Sequence, residues 1–190
     1  MIAPSGSSEY RKMLAGEPYL ASDPQLVAAR GRARDLTRAY NQSRQDEQAL
    51  RNRLLCDLLG EVGTNTWIEP PFHCDYGRHI FIADNVYLNF NCVMLDCAPI
   101  RLGRNVKVGP SVQFYAAHHP IDAEHRIAGP EMASPITIDE NVWIGGGTII
   151  CPGVRIGPNA VIGAGSVVAK DIPADVVAVG NPCRVIRAIG

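Results

Sequence analysis

Residues 138–172 read IDENVWIGGGTIICPGVRIGPNAVIGAGSVVAKDI, and a branched aliphatic stands at every sixth position: Ile138, Ile144, Ile150, Ile156, Ile162 and Val168. Four residues after each comes a mostly small or β-branched partner, namely Val142, Thr148, Val154, Ala160, Ser166 and Ile172. A period of six fits neither an α-helix, at about 3.6, nor a flat strand, at about two; it is a signature of a parallel β-helix. Each short strand makes one flat side of a coil, and the next aliphatic stacks inside it. A sandwich of short strands would alternate at period two with irregular turns, so the unbroken hexads favour the coil. Walls this uniform form a scaffold, and chemistry is expected where the repeat breaks, at a loop containing His118 and His119.

Outward from that stretch, a pattern of aliphatic-x-aliphatic-x-x-Asn-small recurs as IFIADNV (80–86), IRLGRNV (100–106), ITIDENV (136–142) and VRIGPNA (154–160). Its asparagines lie at 85, 105, 141 and 159, so the steps are 20, 36 and 18 residues. Eighteen is one turn of a three-sided coil, and 20 is a turn with two residues added. The step of 36 leaves about one further turn's worth of chain to bulge outwards. AAHHPIDAEHRIAGPEMAS (116–134), polar and containing Pro and Gly, is the segment expected to do so. Asparagine and glycine tolerate the left-handed backbone that tight corners require, which gives the repeat a mechanism.

The first 66 residues are expected to form a helical leader packed on a prism that occupies 67–190, extruded loop included. Asp23-Pro24 reads as a cap followed by proline in a first turn, opening a helix to about Tyr40. Ser43 with Asp46 resembles a capping box, ahead of an apolar face made by Leu50, Leu54, Leu55 and Leu58. The arginine-rich stretch (Arg30, Arg32, Arg34, Arg38, Arg44, Arg51, Arg53) reads as the wet side of these helices.

At 190 residues the chain has room for one substantial core, and 46% hydrophobic with 19% charged residues suits a globular protein. Eighteen basic against 19 acidic residues leave a net charge of −1, which argues against nucleic-acid or anionic-membrane partners. No apolar run spans a bilayer, and MIAPSGSSEYRKM lacks a signal peptide's apolar stretch, so the expected location is the cytoplasm. The six cysteines form no CxxC pair and read as small buried thiols, with a Cys92/Cys97 disulfide or metal pair as the alternative.

With the repeat and the loop in place, the closing segment NVWIGGGTIICPGVRIGPNAVIGAGSVVAKDIPADVVAVGNPCRVI (141–186) resembles the hexapeptide-repeat O-acetyltransferases. The likeness is to their sugar branch, the maltose, galactoside and nodulation-factor acetyltransferases. YRKMLAGEPYLASDPQL (10–26) with RARDLTRAYN (32–41) is similar to the helical leader of that branch, as are IEPPFHCDYG (68–77) and YLNFNCVMLD (87–96) to its first coils. The resemblance covers nearly the whole chain and implies a left-handed β-helix, acetyl-CoA as co-substrate, no metal, and a homotrimer with active sites between neighbouring subunits.

Residue by residue, the resemblance implies that His119, which precedes a proline in the extruded loop, is the general base; His118, four residues after the in-register wall position Phe114, reads as structural. An alcohol is a weak nucleophile at neutral pH, and imidazole can take its proton and return it to the leaving thiolate. Asn89 maps onto an asparagine that touches the acceptor hydroxyl and steadies the transition state, as an amide donor can. Asp75 and Asp96 fall on sugar-binding positions, Asp23 is a further candidate, and Tyr87 offers a ring to stack on a sugar. Glu131 is the candidate for orienting His119. Cys97 stands where galactoside enzymes carry a second acid, which favours a maltose or glucose acceptor. The coenzyme's pantetheine arm is expected along Trp143, Gly146, Ala164, Ala169 and Lys170, with Lys170, Arg184 and Arg187 available to its phosphates.

Three rival readings share the prism. One is the same chemistry on an antibiotic, serine or an amino sugar. Another is a γ-type carbonic anhydrase, which needs three convergent histidines on zinc, whereas the five here stand at 73, 79, 118, 119 and 125 without that family's HxxxxH pair. The last is an inactive trimeric scaffold.

Overall fold

Asn85, Asn105, Asn141 and Asn159 all adopt the left-handed conformation, with φ between 60° and 62°. Asn105 Nδ2 donates to Asn141 Oδ1 at 2.8 Å, Asn141 Nδ2 to Asn159 Oδ1 at 2.9 Å, and Asn159 Nδ2 to Asp175 Oδ1 at 2.8 Å. One corner of a coiled prism is thus stitched by a ladder of side-chain amides. The computed structural model describes residues 8–190, so part of the stretch read for signal character, residues 1–7, lies outside the described residues.

The prism has three parallel walls. Wall one stacks Glu61–Val62, Ile80–Ile82, Ile100–Leu102, Ile136–Ile138 and Arg155–Ile156. Wall two stacks Trp67–Ile68, Tyr87–Leu88, Lys107–Val108, Trp143–Ile144, Val161–Ile162 and Val176–Val179, and Arg184–Ala188 closes it antiparallel. Wall three stacks Phe72–Cys74, Cys92–Leu95, Gln113–Tyr115, Ile149–Ile150 and Val167–Val168. Registers reproduce the spacing of the asparagines: Ile80 faces Ile100, Ile100 faces Ile136, and Ile138 faces Ile156. The coil is a left-handed β-helix of hexapeptide repeats, as the resemblance implied. It starts earlier than residue 67, because Glu61–Val62 already pairs with the next coil.

All six hexad aliphatics and their six partners are buried. Each fully enclosed Ile contributes roughly 1.5–3 kcal/mol. The coils also stack closely at their corners: a Cβ on Gly145 would lie 2.5 Å from the backbone nitrogen of Ala164. Between Gln113–Tyr115 and Ile136–Ile138 the chain leaves the prism through a hairpin of Ala117–His118 with Met132–Ala133. A short helix, Ala123–Ile127, sits in the arm so formed.

The leader forms helices α1 (Ser8–Ala15), α2 (Pro24–Gln42) and α3 (Gln48–Leu58). Asp23 caps α2 as expected, its carboxylate accepting from the Gln25 and Leu26 amides at 2.9 and 3.4 Å. The capping box does not form: Ser43 ends α2, its hydroxyl bonds Tyr40 O, and α3 starts after Glu47 without a side-chain cap. Asn41 donates to Phe72 O and accepts from Phe72 N–H, both at 2.9 Å, while the Tyr40 hydroxyl donates to Ile68 O. The leader thereby satisfies the open edges of the first coil, where a free strand would otherwise invite pairing. Arg51 departs from the wet-face reading. It is buried, its guanidinium lies 5.8 and 5.6 Å from the Tyr40 and Trp67 ring centres, and it bonds Ser43. The cysteines are all free; Cys92, Cys97 and Cys183 are buried, Cys74 and Cys151 half-buried, and Cys56 is exposed.

Candidate active site

Asp75 directly follows the lowest strand of wall three, Phe72–Cys74, and is half-buried. Burial, and after it the Asp96 carboxylate, push its carboxyl above the usual range, while the Cys97 thiol and Arg30 pull the other way. Cys97 Sγ donates to Asp75 Oδ2 at 3.5 Å, and the Tyr19 hydroxyl lies near the thiol. Tyr19 in turn donates to Glu131 Oε2 at 2.9 Å. Arg30 reaches over from α2, giving Nη1 to the Tyr76 hydroxyl at 2.8 Å and Nη2 to Ala21 O at 2.7 Å. Leader, first coils and extruded arm thus meet in one half-enclosed polar cluster suited to sugar hydroxyls.

Asp96 does not belong to that surface. It is fully buried, with Oδ1 accepting from the Asp75 and Tyr76 amides at 3.0 and 2.8 Å and Oδ2 from the His79 amide at 3.2 Å. With its oxygens turned to the backbone it has no reach to a sugar, and it serves as a lock between coils. The strand's own alternation carries the signal: Cys92, Met94 and Asp96 face inward, which turns residue 97 toward the cluster instead. Asp23, held as the α2 cap, is likewise accounted for by its helix.

His119 is exposed on the arm, just past the hairpin strand Ala117–His118. His118 is half-buried with Nε2 3.2 Å from Ser134 Oγ, a structural position. The expected pairing of Glu131 with His119 is not made within the chain. Glu131 is gripped by Tyr19 through two backbone bonds, 3.0 and 2.9 Å, besides the phenol.

A second group lies elsewhere on the prism. Tyr87 stands on the outer side of wall two between Trp67 and Lys107. Asn89 follows at the corner into wall three, its Oδ1 accepting from Phe90 N–H at 2.8 Å, which leaves the amide nitrogen as a donor. That corner continues through Gly109 and Gly145, reached by matching bonds Asn89 N–H to Val108 O, Gly109 N–H to Ile144 O and Gly145 N–H to Ile162 O. Gly146 and Ala164 follow along it, joined by the bond from Gly165 N–H to Gly146 O at 2.9 Å, with the 57%-exposed Trp143 beside them.

The candidates therefore divide between two edges. Asp75, Cys97, His119, Glu131, Ala169 and Lys170 lie where wall three turns into wall one; Asn89, Gly146 and Ala164 lie where wall two turns into wall three. Between them runs the strand Cys92–Leu95, roughly 13 Å of extended chain. Arg184 and Arg187 are exposed on the closing strand, opposite Val179 and Val177. Sequence reasoning missed Tyr19, Arg30 and Tyr76, whose part depends on the leader folding back over the arm. Among the described residues no group of three or more His, Cys, Asp or Glu side chains is disposed to hold a metal ion.

A β-helix broken by one arm and capped by helices, taken with the relatives it matches, marks a hexapeptide-repeat acetyltransferase. Residues 12–63 match the maltose acetyltransferase hexapeptide capping motif and residues 135–170 the bacterial transferase hexapeptide, six repeats long. A maltose O-acetyltransferase structure from Clostridium difficile 630 is 50% identical, covers 97% of this chain and 98% of its own, and superposes with a TM-score of 0.95. A hexapeptide-repeat acetyltransferase of Vibrio cholerae O1 biovar eltor, complexed with acetyl coenzyme A, is 41% identical over 97% of this chain and all (100%) of its own, with a TM-score of 0.90. Galactoside O-acetyltransferase of Escherichia coli (strain K12) is 43% identical over 94% of this chain and 88% of its own. The chain belongs to the family of hexapeptide acetyltransferases that carry the maltose acetyltransferase capping motif.

Proposed function

We propose that this protein moves the acetyl group of acetyl-CoA to a hydroxyl of glucose, maltose or a related glycoside, in a homotrimer whose sites lie between subunits. The observation that carries the reading is the division of candidate residues between two edges of one prism. A single chain cannot bring His119 to Asn89 across wall three, whereas the edge of one subunit set against the other edge of its neighbour would join them. The exposed apolar side chains of the arm, Ile121 at 97% and Ile127 at 83%, support a neighbour there.

In such a site the acceptor binds against Asp75, Cys97 and Tyr87. His119 takes the hydroxyl proton as the oxygen attacks the thioester carbonyl, and the free amide nitrogen of Asn89 donates to the oxyanion that develops. Collapse of the tetrahedral adduct breaks the C–S bond, and His119 returns the proton to the thiolate. Glu131, fixed by Tyr19, places a carboxylate on the arm that carries the base. The pantetheine arm runs along Gly146 and Ala164, where small residues admit it, toward Ala169 and Lys170, with Lys170, Arg184 and Arg187 as cations for its phosphates. Release of free thiol from acetyl-CoA across glucose, maltose, a galactoside, serine and chloramphenicol tests the reading. Glucose or maltose is expected to lead, and a preference for serine or chloramphenicol would contradict it.

A further inference from the structure

The arginine-rich stretch of α2 has a use that a solvated helix face leaves unexplained. Arg30, Arg34 and Arg38 recur every fourth residue and so share one flank of the helix. That flank borders a groove of about 420 Å³ against the lowest strand of wall three, lined by Arg34, Arg38, Asn41, His73 and Asp75 among others. Arg30 is spent on Tyr76 and Ala21. Arg34 has no hydrogen bond or ion pair with another described residue. Arg38 meets only Asp35, at 3.2 Å with both side chains exposed, an arrangement of little energetic weight. No acid other than Asp75 lines the groove, so two guanidinium groups face it against one carboxylate.

These arginines are also misplaced for the coenzyme. His73 lies on the first strand of wall three and Val167 on the last, four strand-to-strand steps apart, or roughly 19 Å. The phosphate cations proposed above sit at the far end. We infer that the groove between α2 and wall three holds an anionic group, phosphate or carboxylate, carried by the acceptor whose hydroxyls reach Asp75. Guanidinium forks match both anions through paired charge-assisted bonds. The inference rests on the acceptor lying against Asp75, as proposed above, and places an acidic derivative of glucose or a related glycoside ahead of the neutral sugar.

Two measurements test it. Acetylation of glucose, glucose 6-phosphate and glucuronic acid is compared in the wild type and in Arg34→Gln/Arg38→Gln, and the better of the two acids identifies which anion the groove takes. At least one acidic sugar is expected to exceed glucose about tenfold in kcat/KM, with that ratio falling to near one in the double variant. Equal or better use of glucose by the wild type would overturn the inference while leaving the sugar acetyltransferase reading intact. Calorimetric titration with inorganic phosphate, without acetyl-CoA, covers the case in which no sugar is turned over. Binding that disappears in the double variant supports the groove even if the acceptor reading fails, and absence of phosphate binding in the wild type together with no preference for either acidic sugar overturns the groove.

Discussion

Tyr19 and Glu131 hold each other by three hydrogen bonds: their backbones exchange N–H to carbonyl bonds at 3.0 and 2.9 Å, and the buried phenol donates to Glu131 Oε2 at 2.9 Å. This grip ties the leader to the arm that carries His119. Tyr19→Phe removes only the phenol's bond and leaves the carboxylate with one donor fewer. Acetyl transfer is expected to fall about fivefold to tenfold, with a stability loss of about 1 kcal/mol by chemical denaturation. Unchanged turnover would mean that Glu131 does not steady the arm.

Asp96 is a lock between coils, so its replacement should be read in stability. Asp96→Asn sets an NH2 group among amide donors that need acceptors, and a loss of about 2–4 kcal/mol is expected, lowering Tm by roughly 4–16 °C for a chain of this size. KM for the acceptor should stay within about twofold in the protein that remains folded. A large rise in KM at unchanged Tm would return Asp96 to the sugar site.

The asparagine ladder is tested at Asn141, which bonds both Asn105 and Asn159 from a left-handed backbone. Asn141→Ala meets the steric penalty and loses both bonds, for about 2 kcal/mol, whereas Asn141→Gly keeps the backbone and should lose about half of that. Urea denaturation of the pair separates the two contributions. Equal losses would show that backbone handedness contributes nothing there.

Asp75 predicts a pH effect whose sign follows from its raised pKa. The folded protein holds this proton to higher pH than the unfolded chain does, so stability falls as pH rises from the ordinary carboxylate range to the raised value, and the penalty persists above it. Asp75→Asn removes that penalty. The variant should match the wild type near pH 3 and be the more stable one at pH 7, while its acceptor KM rises about tenfold. A variant less stable than the wild type at pH 7 would show that the carboxylate is favourably ionised in the fold.

The prism was legible because its physics repeats. Each hexad aliphatic recurs at one inward position, and the asparagine spacings of 20, 36 and 18 return as strand registers and a ladder of amides. The arm was legible as surplus length. The leader was less so: Ser43 carries the composition of a helix cap but ends the preceding helix, and Arg51 carries charge but is buried against two aromatic rings. Asp96 shows the limit for the site, because the resemblance placed it at a sugar-binding position while strand parity, readable from Cys92 and Met94, turned it inward. The link from Tyr19 to Glu131 joins residues 112 apart, and no local pattern announces it.

The most direct test of a site shared between chains mixes two inactive variants. His119→Ala and Asn89→Ala are each expected to lower kcat about a hundredfold or more, since one removes the proposed base and the other the proposed oxyanion donor. Co-expressed in equal amounts, they should assemble trimers in which roughly one interface in four pairs an intact His119 edge with an intact Asn89 edge, and recover about a quarter of wild-type activity. Activity no greater than the average of the two variants would contradict the account, because it would place both residues of each working site on the same chain.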